Sequence, residues 1–364
     1  MIKILELFGG IGACSKALER LGIDYEIADY VEIDKYAVKS FNAIHNTNFE
    51  PQDICKWDKD IEVDLIMHGS PCQDFSLAGK QAGGDKDSGT RSSLMYETIR
   101  IVEKLKPKYV IWENVKNLLS KKHRHNFDAY LETMEQLGYV NYYQVLNAKD
   151  YGIPQNRERV FTISILEEDG YYKGEYYPDY SCNFEFPPKQ ELKLKLKDML
   201  EDKVDEKYYL SDKMIDYIMA NNEKWTGNND KSLINKSIAS AINTGEGSRR
   251  CDASNYISKQ FDENFDLKII REFGIYGDRQ GGSVFNTNGL SPTLTTKSSL
   301  NWNVLIDEGI RIRRLTPKEC WRLMGFDDED VDKASKVNSN TQLYKQAGNS
   351  IVVNVLEAIF KELL

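Results

Sequence analysis

Apolar and polar positions alternate from Ile2 to Leu7, as in a strand entering a core, and then recur at helical spacing from Ala13 to Leu21, where Gly22 ends the run. Phe8-Gly9-Gly10-Ile11-Gly12 makes the turn between them. A second strand is predicted over Tyr25 to Val31, and an amphipathic helix from Asp34, its cap, to His45. The apolar run Val63-Asp64-Leu65-Ile66-Met67 reads as a buried strand. Leu94 to Leu105 and Phe127 to Leu137 follow as helices. Tyr109 to Trp112, Tyr142 to Leu146 and Val160 to Ile165 follow as strands. This βαβ rhythm predicts an α/β fold on a Rossmann-like, mostly parallel sheet.

The rhythm stops near Tyr171, where the chain becomes rich in Lys, Asn, Asp and Tyr. It resumes at Thr316-Pro317-Lys318-Glu319-Cys320, which starts a helix. Gln346-Ala347-Gly348-Asn349-Ser350 then precedes an apolar helix, Ile351 to Leu364, for which Asn349 is a natural cap. Three segments are therefore expected: a main domain over 1–175, a second, smaller and variable one over 176–307, and a closing segment, 308–364, whose final helix packs back beside the first strand.

Composition changes this picture little. A chain of 364 residues, 41% hydrophobic and 29% charged, can bury a sizeable core. Neither a signal peptide nor an apolar run long enough to span a bilayer is evident. The six cysteines show no CxxC pair or regular spacing, which argues against a disulfide framework or a zinc site and for a reducing cytosol. His123 and His125, in a charged stretch, read as solvated. A net charge of -9 argues weakly against nucleic acid, but Lys121 to His125, Arg249-Arg250 and Arg311 to Arg314 are local basic clusters, each read as a solvated face ahead of a phosphate contact.

Candidate chemistry falls at predicted strand ends. Cys72, in Gly69-Ser70-Pro71-Cys72-Gln73-Asp74-Phe75-Ser76, follows the third strand on a turn stiffened by Pro71, a setting suited to a nucleophile as well as to a small buried hydrophobe. Glu32 lies about 20 residues past the glycine turn, where nucleotide sites keep an acid for ribose hydroxyls. Gly10 and Gly12 put Ser15 at the third position of a dinucleotide GxGxxG, so that fingerprint is incomplete. Asp53 falls in a loop suited to an adenine edge, and Glu113 ends another strand. In a parallel sheet Glu113 can face Cys72. Arg157 and Arg159, at the start of the last strand, are expected to diverge, one reaching a substrate while the other pairs with Glu158 or the sheet. The polar stretch Gly79 to Ser93 suggests a loop that closes over a substrate.

Phe8-Gly9-Gly10-Ile11-Gly12, Pro71-Cys72-Gln73, Glu113-Asn114-Val115, Gln155-x-Arg157-x-Arg159 and Gly348-Asn349-Ser350, in this order, resemble the motifs of the DNA cytosine-5 methyltransferases of bacterial restriction-modification systems. The resemblance covers nearly all of the chain except roughly 171–282, where that family varies its target-recognition domain. It implies the class I S-adenosylmethionine methyltransferase fold and transfer of a methyl group from S-adenosyl-L-methionine to carbon 5 of a flipped-out cytosine in double-stranded DNA. Cys72 would add to carbon 6, Glu113 would hold the ring at nitrogen 3 and the exocyclic amine, Arg159 would bind the base carbonyl, and Arg157 would support the same pocket or bind a phosphate.

The resemblance further implies cofactor contacts at Phe8, Gly10, Gly12, Glu32, Ile33, Asp53, Ile54, Pro71, Asn349 and Ser350. Ile33 stands where many relatives carry an aromatic residue. Substrate contacts would fall at Gln73, Ser76, Arg91, Asn114, Thr293 and Leu294, with no metal. A monomer in a bacterial cytoplasm, or encoded by a phage, is expected, with a cognate restriction endonuclease possible but not in direct contact. A transfer-RNA cytosine-5 methyltransferase, a catalytically silent DNA-binding relative and a nicotinamide dehydrogenase are the rival readings.

Overall fold

In the computed structural model the described residues are 1–71, 94–167, 184–209, 284–285, 291–292, 303–307 and 310–364. Their centre is a sheet of β1 (Ile2–Leu7), β2 (Tyr25–Val31), β3 (Leu65–His68), β4 (Tyr109–Val115), β5 (Tyr139–Asn147) and β7 (Glu158–Leu166), with the two-residue β6 (Gln155–Asn156) just ahead of the last. The spatial order is β2-β1-β3-β4-β7-β5. The first four strands run parallel, and β7 runs antiparallel to both its neighbours. The expected mostly parallel sheet is thus present, and the carboxyl ends of β1 to β4 open on one edge.

Side chains along each inner strand alternate between two apolar layers, as the two-residue pleat requires. Ile4, Leu65, Met67, Ile111, Phe161 and Ile163 face one layer. Leu5, Leu7, Ile66, Val110 and Trp112 face the other. The first layer is completed by α1 (Ala13–Leu21) and by the end of the chain: α5 (Pro317–Arg322), α6 (Asp328–Ser335), α7 (Asn340–Asn349) and α8 (Val353–Leu363), once α2 (Lys35–His45), α3 (Met95–Leu105) and α4 (Arg124–Gln136) are counted. Helices α3 and α4 cover the opposite layer.

Local chemistry explains the boundaries. Helix α1 stops at Gly22, whose φ of 66° lets its N–H reach back to the carbonyls of Glu19 and Leu18. Helix α2 starts at Asp34, whose side chain accepts the Tyr36 N–H at 3.0 Å. Helix α5 opens with a capping box in which Thr316 accepts from the Glu319 N–H and Glu319 accepts from the Thr316 N–H.

Helix α8 packs along α1 in the layer that Ile4 of β1 faces, joined by Arg20 to Glu357 at 3.1 Å. Three expectations need correction. Asn349 does not cap the last helix: it ends α7, and Val352 precedes α8. His123 is 1% exposed, because Phe127 and Tyr130 of the same segment drag the start of α4 into the core; His125 is exposed. Arg313, in β11 (Ile310–Arg314), is no solvated cation. It is fully buried and holds Glu319 through Nη1 at 2.7 Å and Nη2 at 2.6 Å.

Residues 184–209 pack with the first layer. Phe184, Leu196, Met199 and Tyr208 share its core with Leu315 and Trp321. Strand β11 pairs antiparallel with β10 (Asn303–Asp307), β10 pairs with β8 (Val284–Phe285), and β9 (Ser291–Pro292) pairs with β6. Among the described residues no helix is long and apolar enough to cross a membrane, and no three His, Cys, Asp or Glu side chains are grouped to hold a metal.

Candidate active site

Past the end of β1 the chain turns sharply. Phe8, a non-glycine residue, sits at φ +53°, and Gly10 and Gly12 at +58° and +80°. Gly9 is held in place from outside the turn: a Cβ there would stand 2.6 Å from the ring of the fully buried Tyr30, whose hydroxyl donates to the Gly10 carbonyl at 2.6 Å. Helix α1 has no side-chain cap of its own. Its Ser15 N–H goes to Glu6 of β1 at 3.1 Å, and the Ser15 hydroxyl donates to the same oxygen.

Glu6 was not singled out by sequence patterning, although an acid on the face of Ile2 and Ile4 is a signal. It is 2% exposed, and burial lifts its carboxyl to about 7 against the opposing pull of the Ser15 bonds. Ser15, which broke the dinucleotide fingerprint, is the residue that ties this helix to β1.

Beside the turn, at the end of β2, the Glu32 carboxylate accepts the Gly10 N–H at 3.2 Å and the Asp34 N–H at 2.8 Å. Burial raises its pKa, and these backbone bonds oppose the shift. Ile33 next to it is 70% exposed, unusual for an isoleucine among so many buried ones. The Gln52 N–H bonds the Glu32 carbonyl at 2.8 Å, bringing the Asp53 loop alongside. Asp53 accepts the Cys55 N–H, and Ile54 is buried behind it.

A cavity of about 420 Å³, counted to its open mouth, runs from this turn along the strand ends. Glu6 to Gly10, Ala13, Cys14, Met67 and Gly69 line it, with Glu113 from β4 and, from the last residue of α7 and the loop that follows it, Asn349 to Ile351. That loop, rather than helix α8, is what the chain's end contributes. Cys14 in the wall is an inert thiol: burial and the neighbouring Glu6 raise its pKa well above the usual range.

Glu113 closes the far end. Because β3 and β4 are parallel and in register to His68 and Trp112, its carboxylate lies over Gly69, with Oε2 3.6 Å from where a Cβ on that glycine would be. Arg159 Nε pairs with Glu113 Oε1 at 3.0 Å. Burial nevertheless leaves the Glu113 carboxyl above its ordinary value; the charges of Arg159 and then Arg157 oppose the shift.

The two arginines do not diverge. Residues two apart on an extended chain share a face, and both act on Glu113. Arg157, 4% exposed, donates through Nη2 to the carbonyls of Ser350 at 2.9 Å and Gly348 at 3.3 Å, fixing the loop that forms the cavity wall. Glu158 takes Lys116 instead, at 3.0 Å.

Asn114 is 1% exposed and turned to the opposite face, where it donates to the Ser70 carbonyl at 3.4 Å. Its amide oxygen accepts the N–H of Val115 at 2.8 Å. Pro71 ends the described stretch. Cys72, Gln73, Ser76, Arg91, Thr293 and Leu294, together with the loop over 79–93, lie outside the described residues.

A Rossmann-like sheet with a glycine turn, an acid at the end of the next strand and a cavity along the strand ends is the arrangement of enzymes that bind a nucleoside-containing cofactor. The chain superposes over its full length on the Dnmt2 methyltransferase of S. pombe (TM-score 0.62, 19% identity, 98% of that chain). It does the same on the methyltransferase EhMeth of Entamoeba histolytica (TM-score 0.64, 15% identity, 98% of that chain). Residues 2–364 match the family model of the C-5 cytosine-specific DNA methylases.

All of the chain aligns with the type II methyltransferase M2.ScrFI of Lactococcus lactis subsp. cremoris, at 34% identity over 99% of that protein. All of it also aligns with the orphan methyltransferase M.SPRI of Bacillus phage SPR, at 33% over 97%. The chain belongs to the C-5 cytosine-specific DNA methylase family. It is a DNA (cytosine-5) methyltransferase that uses S-adenosyl-L-methionine, in a family whose general mechanism is covalent catalysis by a cysteine.

Proposed function

We propose that Cys72 is the nucleophile, that Glu113 and Arg159 hold the target cytosine, and that the cavity between the glycine turn and Gly69 holds the cofactor. The observation that carries this reading is Glu113: a largely buried carboxyl with a raised pKa, clamped by Arg159 at 3.0 Å and placed over the Gly69 turn at the end of the cavity.

The residues around the cavity suit S-adenosylmethionine. Glu32, its carboxylate already oriented by two backbone N–H groups, would take the ribose hydroxyls. Exposed Ile33 would pack on one face of the adenine and the Asp53 loop would meet its edge, while Asn349 at the wall would hold the methionine end. When bound, the cofactor supplies an electrophilic methyl group.

The chain's own residues then account for the chemistry. Attack by the Cys72 thiolate forms a bond from Sγ to carbon 6 and shifts electron density to carbon 5, which takes the methyl. Loss of the carbon 5 proton and departure of the thiolate restore the ring. A protonated Glu113 donates to nitrogen 3 as charge builds there, which its raised pKa favours. Arg159 polarises the ring through the base carbonyl. Inside a duplex, carbon 6 is shielded, so the base must leave the stack.

We further propose that target recognition lies within about 210–307, a narrower span than the sequence suggests, since 184–209 packs with the catalytic core. Action on double-stranded DNA as a monomer in a bacterial cytoplasm, with or without a cognate endonuclease, completes the reading.

The test is Cys72→Ala. Methyl transfer from tritiated cofactor to DNA should fall below detection while cofactor affinity, read by calorimetry, stays within about threefold of wild type. Retained transfer would remove Cys72 from the mechanism.

A further inference from the structure

We infer that Trp112 and Ser70 form a positioning couple that fixes the turn from Gly69 to Pro71, immediately ahead of Cys72 in the chain, and that the rate of nucleophilic addition depends on this bond. The inference rests on Cys72 being the nucleophile.

Ser70 stands two residues before Cys72 and is 3% exposed. Its Oγ accepts the indole Nε1–H of Trp112 at 3.0 Å, and its carbonyl accepts from Asn114. Trp112 and Asn114 flank Glu113 on β4, so by the alternation of a strand they face the opposite side of the sheet. One strand therefore presents the carboxyl to the cavity and grips the turn from behind.

The grip is anchored. Trp112 is 1% exposed and stacks on His68, ring centres 5.7 Å apart and planes within 6°. Tyr130 lies against the same indole at 4.3 Å and meets His68 Nε2 through its hydroxyl at 3.3 Å. His68 stays neutral, since burial lowers its pKa to about 3, so this stack gains no charge in the working range. An indole so enclosed cannot rotate to seek another acceptor. The buried serine hydroxyl is explained by its use as that acceptor, which the sequence, showing only Ser before Pro, does not reveal.

The experiment follows adduct formation on duplex DNA fragments carrying 5-fluorocytosine in both strands, which hold the Sγ to carbon 6 bond because fluorine cannot leave as a proton does. Ser70→Ala and Trp112→Phe are each expected to slow adduct formation about tenfold, the loss of one buried hydrogen bond expressed in the barrier. Cofactor affinity should stay within twofold of wild type.

The double variant should be no slower than either single one, because both remove the same bond. Wild-type rates in both, losses that multiply in the double variant, or cofactor affinity falling in step with rate would each overturn the couple. Trp112→Phe keeps a ring in the stack, so it decides the matter if Ser70→Ala fails to fold. No adduct with the wild-type protein would instead overturn the assignment of Cys72, and the couple with it.

Discussion

Glu6 shows how one buried group ties the glycine turn to pH. In the unfolded chain its carboxyl has the ordinary value near 4.5, and in the fold burial lifts it to about 7. The folded protein thus holds an extra proton between those values. Its contribution to stability is largest below the unfolded value, declines as pH rises through the window, and stays at the lower level above about 7. The span corresponds to about 3 kcal/mol. Glu6→Gln keeps an acceptor for the Ser15 N–H without the charge. It should gain stability over wild type at pH 8 but not at pH 4.5, as measured by urea denaturation at both values; an equal difference at the two would remove Glu6 as the source.

The turn from β1 into α1 is the element that concentrates strain. Phe8 at φ +53° and three glycines in four residues exist because the chain must pass between the Tyr30 ring and the cavity. Gly9→Ala tests this more sharply than a change at Gly10, where an added Cβ would meet nothing within 4 Å and only the positive φ objects. At Gly9 the new methyl strikes Tyr30, which is packed between Phe41 at 3.8 Å and Phe49 and cannot retreat. Displacing the Gly10 carbonyl and N–H from Tyr30 and Glu32 should weaken cofactor binding at least about tenfold, as hydrogen bonds to a charged group are lost. Isothermal titration calorimetry would show it. Unchanged affinity would mean the turn does not carry the cofactor.

At the scale of the whole molecule, the end of the chain folds back to finish the first layer. Lys16 of α1 holds Asp327 at 2.9 Å and Asp330 at 3.1 Å, and Arg20 holds Glu357. Partly exposed members of that network contribute modestly. The pair of Arg313 and Glu319 is different, because both side chains are fully buried and Glu319 also takes the N–H groups of Thr316 and Glu201. Arg313→Met would leave a carboxylate without its cation in the core. It should cost about 3–5 kcal/mol, measured by chemical denaturation. A loss under about 1 kcal/mol would show that the carboxylate is neutralised some other way.

Periodicity and capping residues determined the elements: Ala13 to Gly22, Tyr25 to Val31 and the cap at Asp34 were readable because those signals act over one turn or one pleat. The ordered motifs determined the family, because their residue types, order and spacing together match it over the whole chain. Only tertiary structure decided what each polar group faces.

Nothing local distinguishes Ser70, which meets an indole 42 residues away, from a serine in water. Nor could Arg157 be assigned to the loop at Gly348 and Ser350, or Asn349 denied its role as a cap, before the last two helices were docked. Burial, pKa and partner all depend on chain segments that meet only in the fold, and that is why the sequence named the chemistry while the packing distributed the parts.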